Sequence, residues 1–196
     1  MMNRRTAIAI LCAFSALLAG CASTQTNFYT LSGTAKSTVA PASYSIAVGP
    51  VSVPAIVDRP QIVVRVGPHQ VAIDEFNRWA SPLKHEIARV VAENLASMLG
   101  TPNVTVFPQS TAAGASYRIV IDVMRFESAP GETATLDAVW MIRSTKGDRA
   151  HTGRTTQRES PRGAGYEALV AAHSIILVRL SSDIAAAIRA MEETEK

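Results

Sequence analysis

The stretch from Tyr117 to Ile142, YRIVIDVMRFESAPGETATLDAVWMI, decides the fold class. In its first limb Tyr117, Ile119, Ile121 and Val123 fall on one side, and Arg118, Val120, Asp122 and Met124 on the other. The second limb sets Ala134, Leu136, Ala138, Trp140 and Ile142 on one face, against Thr135, Asp137 and Arg143. Side chains of a strand alternate with a period of two, so each limb reads as a strand with one buried face. The segment ESAPGET between them supplies a turn, and strands joined so closely must run antiparallel.

Reading outward, Lys146-Gly147-Asp148 is a further hairpin signal, and Arg149 to Ser160 is polar on both faces, as suits an edge strand. A long helix follows from about Tyr166 to Met191, with Tyr166, Leu169, Val170, His173, Ile176, Leu177, Leu180, Ile184 and Ile188 as its buried stripe. On the other side of the hairpin, Ser81 and Pro82 predict a helix start and Gly100 its stop. Leu83, Ile87, Val90, Val91, Leu95, Met98 and Leu99 share one stripe of that helix, which leaves Lys84, Glu86, Arg89 and Glu93 outside. Asn103 to Phe107 reads as a strand leaving this helix. Further upstream, strands are expected at Tyr44 to Val48, resuming at Val51 to Val53 after Gly49-Pro50, then at Ile62 to Val66 and Gln70 to Ile73. The expected fold is α+β: a mainly antiparallel sheet of about six to eight strands, with two amphipathic helices packed on one face.

The amino terminus has a different character. Arg4 and Arg5 precede an uncharged apolar run from Ala7 to Leu18, the layout of a secretory signal and too short for a membrane span. Leu18-Ala19-Gly20-Cys21 then matches a bacterial lipobox, which implies diacylglyceryl transfer to the Cys21 thiol, cleavage before it and acylation of the new terminus. Two or more acyl chains hold a protein stably where one does so only marginally. The other reading, a cysteine destined for a disulfide, lacks a partner, because Cys12 lies in the segment removed. The residue after Cys21 is Ala22 rather than aspartate, so the outer membrane is the expected destination.

The expected organisation is therefore a removed signal at residues 1–20, a lipidated tether at 21–43, and a single domain at 44–196. Within the tether, Phe28-Tyr29-Thr30-Leu31 is a compact apolar group between two polar stretches, and it is expected to dock as a clip or short strand, with SGTAKSTVAPAS loose behind it. Without the signal, 17 basic side chains face 16 acidic ones, a balance that argues against nucleic acid as a partner. No other apolar stretch approaches 20 residues, which leaves lipid as the tether.

No catalytic constellation emerges. His85-Glu86-Ile87-Ala88-Arg89 begins like a zinc-protease helix, but Arg89 stands where the second histidine ligand belongs. Gly114-Ala115-Ser116-Tyr117-Arg118 fails the pattern of a nucleophile elbow, and no phosphate loop is present. His69, His85, His151 and His173 lack ligand spacing, and His173 reads as a hydrogen-bonded core residue. No cofactor and no metal are expected.

Two features suit binding. Arg143, Lys146, Arg149, Arg154, Arg158 and Arg162 give one segment a local charge of +4, since only Asp148 and Glu159 oppose them. It would attract anionic head groups or an acidic partner, or else keep an edge strand soluble. Trp79 either staples the chain entering the first helix or anchors an interface.

The lipobox, FYTL at 28–31, VGPVSVPAIVDRPQIVVR at 48–65, RWASPL at 78–83 and YEALVAAHSIILVRLSSDIA at 166–185 together resemble the PqiC-type lipoproteins, the ABC-type transport auxiliary lipoprotein component. The resemblance covers the mature chain in order. It implies an outer-membrane lipoprotein facing the periplasm, partnered by an MCE-domain protein and an inner-membrane transport subunit in PqiABC-like or ABC-type lipid transport, and able to form ring-like homo-oligomers. It brings no catalytic motif. Two other readings stay open: a carrier that shields one acyl chain between sheet and helices, and a structural lipoprotein of envelope assembly.

Overall fold

The computed structural model describes residues 24–35, 42–146 and 149–194. Cys21 with its lipobox, and the Gly147-Asp148 part of the hairpin signal, lie outside the described residues. Among the described residues the order is β1 (Asn27–Tyr29), β2 (Ile46–Ser52), β3 (Gln61–Gly67), β4 (Gln70–Trp79), α1 (Leu83–Leu99), β5 (Val104–Val106), a short 3-10 helix (Ser110–Gly114), β6 (Tyr117–Ala129), β7 (Thr133–Ser144), β8 (Ala150–Glu159) and α2 (Gly165–Glu193).

The fold is α+β. The long strands β6, β7 and β8 form an antiparallel meander, with Ile119 opposite Ile142 and Trp140 opposite Gly153. β2 joins the free edge of β6 in parallel, and β5 adds parallel to β2, which gives a five-stranded sheet in the order β5-β2-β6-β7-β8. Parallel pairing needs a crossover, and the β3–β4 hairpin plus α1 provide it between β2 and β5. The hairpin forms its own three-stranded sheet, order β1-β4-β3, with β1 parallel to β4.

The alternation read in the central hairpin is the burial seen. Tyr117, Ile119, Ile121 and Val123 of β6, and Ala134, Leu136, Ala138, Trp140 and Ile142 of β7, are all buried. A bulge after Val123 then shifts the register, so that Arg125 is exposed beside Met124 and Phe126 turns inward. Helix α1 packs against β2 and β5, α2 packs against β7 and β8, and the helices touch each other over one shared core. At 29 residues α2 matches a membrane span by length and composition, although charges such as Arg179 and Asp183 interrupt its apolar run. Its apolar stripe lies in the core, where Leu177, Leu180, Ile184 and Ile188 have no exposure.

Gly49-Pro50 falls inside β2 as a bulge instead of ending the strand, and only glycine suits the φ of 114° found there. β4 runs on to Trp79, well past the expected end at Ile73. Gly100 closes α1 in the left-handed conformation, as expected. The predicted serine cap is displaced: Pro82 is the N-cap residue, and Ser81 Oγ turns to the Glu86 carboxylate at 2.5 Å.

Close packing at the β7–β8 pairing depends on Gly153. The indole of Trp140 covers it, and a Cβ there would overlap the ring atoms. The same indole donates from Nε1 to Thr155 Oγ1 at 3.1 Å, and Thr155 Oγ1 donates to Asp183 Oδ2 on α2 at 2.6 Å. Gly153→Ala is therefore expected to destabilise the chain by about 2 kcal/mol, because the methyl overlaps a buried ring that is held by its bond to Thr155. An unchanged urea midpoint in the variant would contradict this packing.

Candidate functional site

The amino-terminal segment is bound into the domain across the groove between the two helices. β1 pairs with β4 and ends at Tyr29; Leu31 is 1% exposed. Beyond it, Ser32 N–H donates to Ser174 Oγ of α2 at 3.1 Å, and Ala35 N–H donates to Asn94 Oδ1 of α1 at 3.2 Å. Ser32 to Ala35, expected to be loose, thus form a strap held by polar side chains that rise from two helices.

Glu86 is the hub of that strap. Its carboxylate accepts from Thr30 Oγ1 at 2.6 Å, from Leu31 N–H at 3.1 Å and from Arg89 Nη2 at 2.8 Å, besides Ser81. Arg89 Nη2 also donates to the Leu31 carbonyl at 2.6 Å, while Nη1 reaches Glu93 at 2.7 Å. Helical periodicity set Glu86 outside; it is 5% exposed, because a segment 55 residues earlier lies over it. Burial alone would raise the Glu86 carboxyl, but the hydrogen bonds from Arg89, Ser81 and Thr30 and the Arg89 charge outweigh it and hold the group at about 2. Arg89 is correspondingly raised by its hydrogen bond to Glu86, against an opposing effect of burial.

A second polar knot fixes the start of α2. Tyr166 Oη donates to Asp74 Oδ2 at 2.6 Å, and the other Asp74 oxygen accepts from the amides of Phe76 and Asn77 at 2.9 Å. Burial, with the Asp74 hydrogen bond and charge, pushes the Tyr166 hydroxyl up. Tyr29 closes this knot, donating to Asn77 Oδ1 at 2.9 Å with its ring 5.9 Å from that of Tyr166. The Asp74 turn bulges β4 away from β3, where the register jumps between Gln61 and Ile62, and it leaves Phe76 45% exposed. Val66, Val71 and Ile73 of the same hairpin are also exposed. Arg65 ties the hairpin to the β6–β7 turn, with Glu132 at 3.0 Å.

The family model for the ABC-type transport auxiliary lipoprotein component matches residues 29–185, from Tyr29 at the end of β1 to Ala185 in α2. The chain belongs to this family. Among curated proteins none matches the sequence significantly. The fold is similar to that of a crystal structure of a Xanthomonas campestris protein of family DUF330, at a TM-score of 0.70 and 19% identity, covering 87% of this chain and 100% of that one. It is also similar to a crystal structure described as an uncharacterized protein, at a TM-score of 0.68 and 20% identity, covering 84% of this chain and 99% of that one.

The family segment thus includes the strap residues, the hairpin and both helices. The basic segment is distributed along one edge and its turns. β8 is the edge strand of the large sheet, with Arg154 and Arg158 exposed on it, while Arg143 lies on β7 and Lys146 and Arg162 are exposed beyond the strand ends. Arg154 is bound to Asp137 of β7 through both Nε and Nη2, and this hydrogen-bonded pair lowers the Asp137 carboxyl. Arg179 of α2 takes Glu159 at 2.6 Å. Arg149 is half-buried and engaged elsewhere. Such a charged edge strand resists pairing with other chains.

Trp79 is 4% exposed and meets Phe126 edge-on at 6.1 Å, so its interface reading gives way to the staple: the core takes most of the ring. Its remaining edge forms the floor of a groove described below. His173 is a core residue, 1% exposed, with Nε2 2.8 Å from Ser128 Oγ and its ring stacked on Phe126 at 4.0 Å. Among the described residues, no group of three His, Cys, Asp or Glu side chains is arranged to hold a metal ion.

Glu86, Asn94, Ser174 and Ser181 were missed as positions of consequence. The last three carried a signal, since each is a polar residue on a buried helical stripe; Asn94 Nδ2 and Ser181 Oγ meet at 3.3 Å between the helices. Buried polar groups find partners, so such a position predicts one. Glu86 carried no such sign.

Proposed function

We propose that the protein is an outer-membrane lipoprotein, held by acylated Cys21 on the periplasmic face, that docks the MCE-domain component of an intermembrane lipid transport system without catalysing a reaction. The observation that supports this reading is the strap. With Thr30 to Ala35 bound between the helices, only five residues lie between Cys21 and Asn27, a reach of at most about 20 Å; a tether running free to Tyr44 would span about 80 Å. A domain held that close to a bilayer presents a fixed face to a partner, which suits a docking subunit better than a diffusing carrier.

The β3–β4 hairpin is the partner surface in this reading, because Val66, Val71, Ile73 and Phe76 are exposed apolar residues on one projecting unit. Copies arranged as a ring would present several such hairpins to one MCE assembly, with Arg143, Lys146, Arg158 and Arg162 free to meet acidic groups on it. Pull-down of the acylated chain, in detergent, with an MCE-domain protein of the same cell is expected to show association at micromolar concentration. Val71→Asp should weaken it at least tenfold, since an aspartate in an apolar contact costs more than 1.4 kcal/mol. Absence of association, or a mature Cys21 whose mass does not fall on deacylation, would overturn the reading.

A further inference from the structure

A groove of about 560 Å³ opens beside β1, between the Asp58-Arg59-Pro60 turn, the Arg78 to Pro82 segment and Lys84. Its walls divide by chemistry. Phe28, Pro60, Trp79, Ala80 and Pro82 make one side apolar, and Arg59, Arg78 and Lys84 bring positive charge to the other. Two of these cations are engaged: Lys84 Nζ is 3.2 Å from Asp58, and Arg78 Nη2 is 3.3 Å from Glu75. Arg59 is not. Its Nε is shut off from solvent with no hydrogen-bond partner among the described residues. The outer nitrogens of the same guanidinium carry no hydrogen bond or ion pair among the described residues, and an anion in the groove would supply them with acceptors.

Position says what kind of anion. Phe28, the outer wall of the groove, is 66% exposed on an edge strand, seven residues after Cys21 in the chain. We propose that this groove receives the phosphate head group of a phospholipid from the bilayer that anchors the chain: Arg59 takes the phosphate, and Phe28 enters the interfacial layer beside the glycerol and the first methylenes. An aromatic ring with a cation next to it is the pairing that interfaces favour. The bilayer placement rests on the anchoring proposed above, whereas the phosphate site itself does not. A head-group contact at this place would fix the domain's rotation about its tether, which one acyl anchor leaves free.

The test uses the full mature chain with Cys21→Ser, so that no acyl group contributes, and vesicles of phosphatidylethanolamine with about a third phosphatidylglycerol. Co-sedimentation is expected, with Arg59→Gln and Phe28→Ser each weakening it about tenfold at an unchanged melting temperature. Arg158→Gln, on the far edge strand, should have no effect. Loss of binding with Arg158→Gln as large as with Arg59→Gln would mean general attraction to positive charge and would overturn the proposal, as would the absence of any vesicle binding. Displacement by millimolar inorganic phosphate would make the groove a free-phosphate site and also overturn it. Failure of anchoring is read separately, from the mass of Cys21 in the wild-type membrane fraction.

Discussion

Between pH 6.5 and 4.5 the domain is expected to lose about 2 kcal/mol of stability through His173 alone. Its imidazole is enclosed by the core, with Nδ1 buried and without a hydrogen-bond partner among the described residues, and burial brings its pKa down from 6.5 to about 3. The folded protein therefore keeps a neutral ring in a range where the unfolded chain takes up a proton. Proton uptake favours the unfolded state, so stability falls by about 1.4 kcal/mol per pH unit as pH drops below 6.5, and the effect is nil above it. Glu86 acts in the same direction at lower pH. Its carboxyl titrates at about 2 when folded against 4.5 when free, so its stabilisation is complete above pH 4.5 and is lost on the way down to 2. Urea titrations of the mature chain should show midpoints constant from pH 8 to 7, a decline below 6.5, and a steeper one below 4.5. His173→Gln, which keeps a hydrogen-bonding group for Ser128 but cannot charge, should flatten the first decline. Equal wild-type midpoints at pH 7 and 5 would mean the ring is not held neutral.

Glu86→Ala is expected to cost about 3 kcal/mol and to free the strap. Removing the carboxylate strands four donors: the Thr30 and Ser81 hydroxyls, the Leu31 amide and Arg89. Of these the Leu31 amide is buried, so it loses its acceptor with no water to replace it. A cation left without its buried partner adds to the loss, moderated here because the Arg89 side chain is 38% exposed. Glu93→Ala is the control: Glu93 also pairs with Arg89, but its side chain is 47% exposed, and an exposed pair of that spacing is worth under about 0.5 kcal/mol. Limited proteolysis should cut the Glu86 variant between Thr30 and Ala35 well before the rest of the domain unfolds. Equal resistance in both variants would show that the strap does not depend on the hub. On the proposed reading, a freed strap would lengthen the tether and remove the fixed standing of the domain above the bilayer.

Periodicity was enough to read most of the fold. The β6–β7 hairpin, the stripes of α1 and α2, the Gly100 stop and the polar edge strand β8 are each fixed by neighbours in sequence, and burial follows the alternation wherever both partners are local. Reading failed where a distant segment intervened. Nothing near Gln61 announces that β4 will bulge around Asp74, because the acceptor that organises the bulge is itself held by Tyr166, 92 residues on. Ser81 has the identity of a cap residue, yet its hydroxyl donates to the charged Glu86 carboxylate, and no side-chain cap bond to the helix amides forms.

Hydrophobic spacing and a signal layout are local patterns, so a lipobox followed by an α+β domain was legible from residue order alone. It took the folded chain to show that Ser32 to Ala35 are bound across the helices, that Glu86 is inside, and that Phe28, Trp79 and Arg59 share one groove. The physical reason is that a side chain's burial and charge partners belong to whichever elements the chain brings over it, and between Thr30 and Glu86 that meeting spans 56 residues.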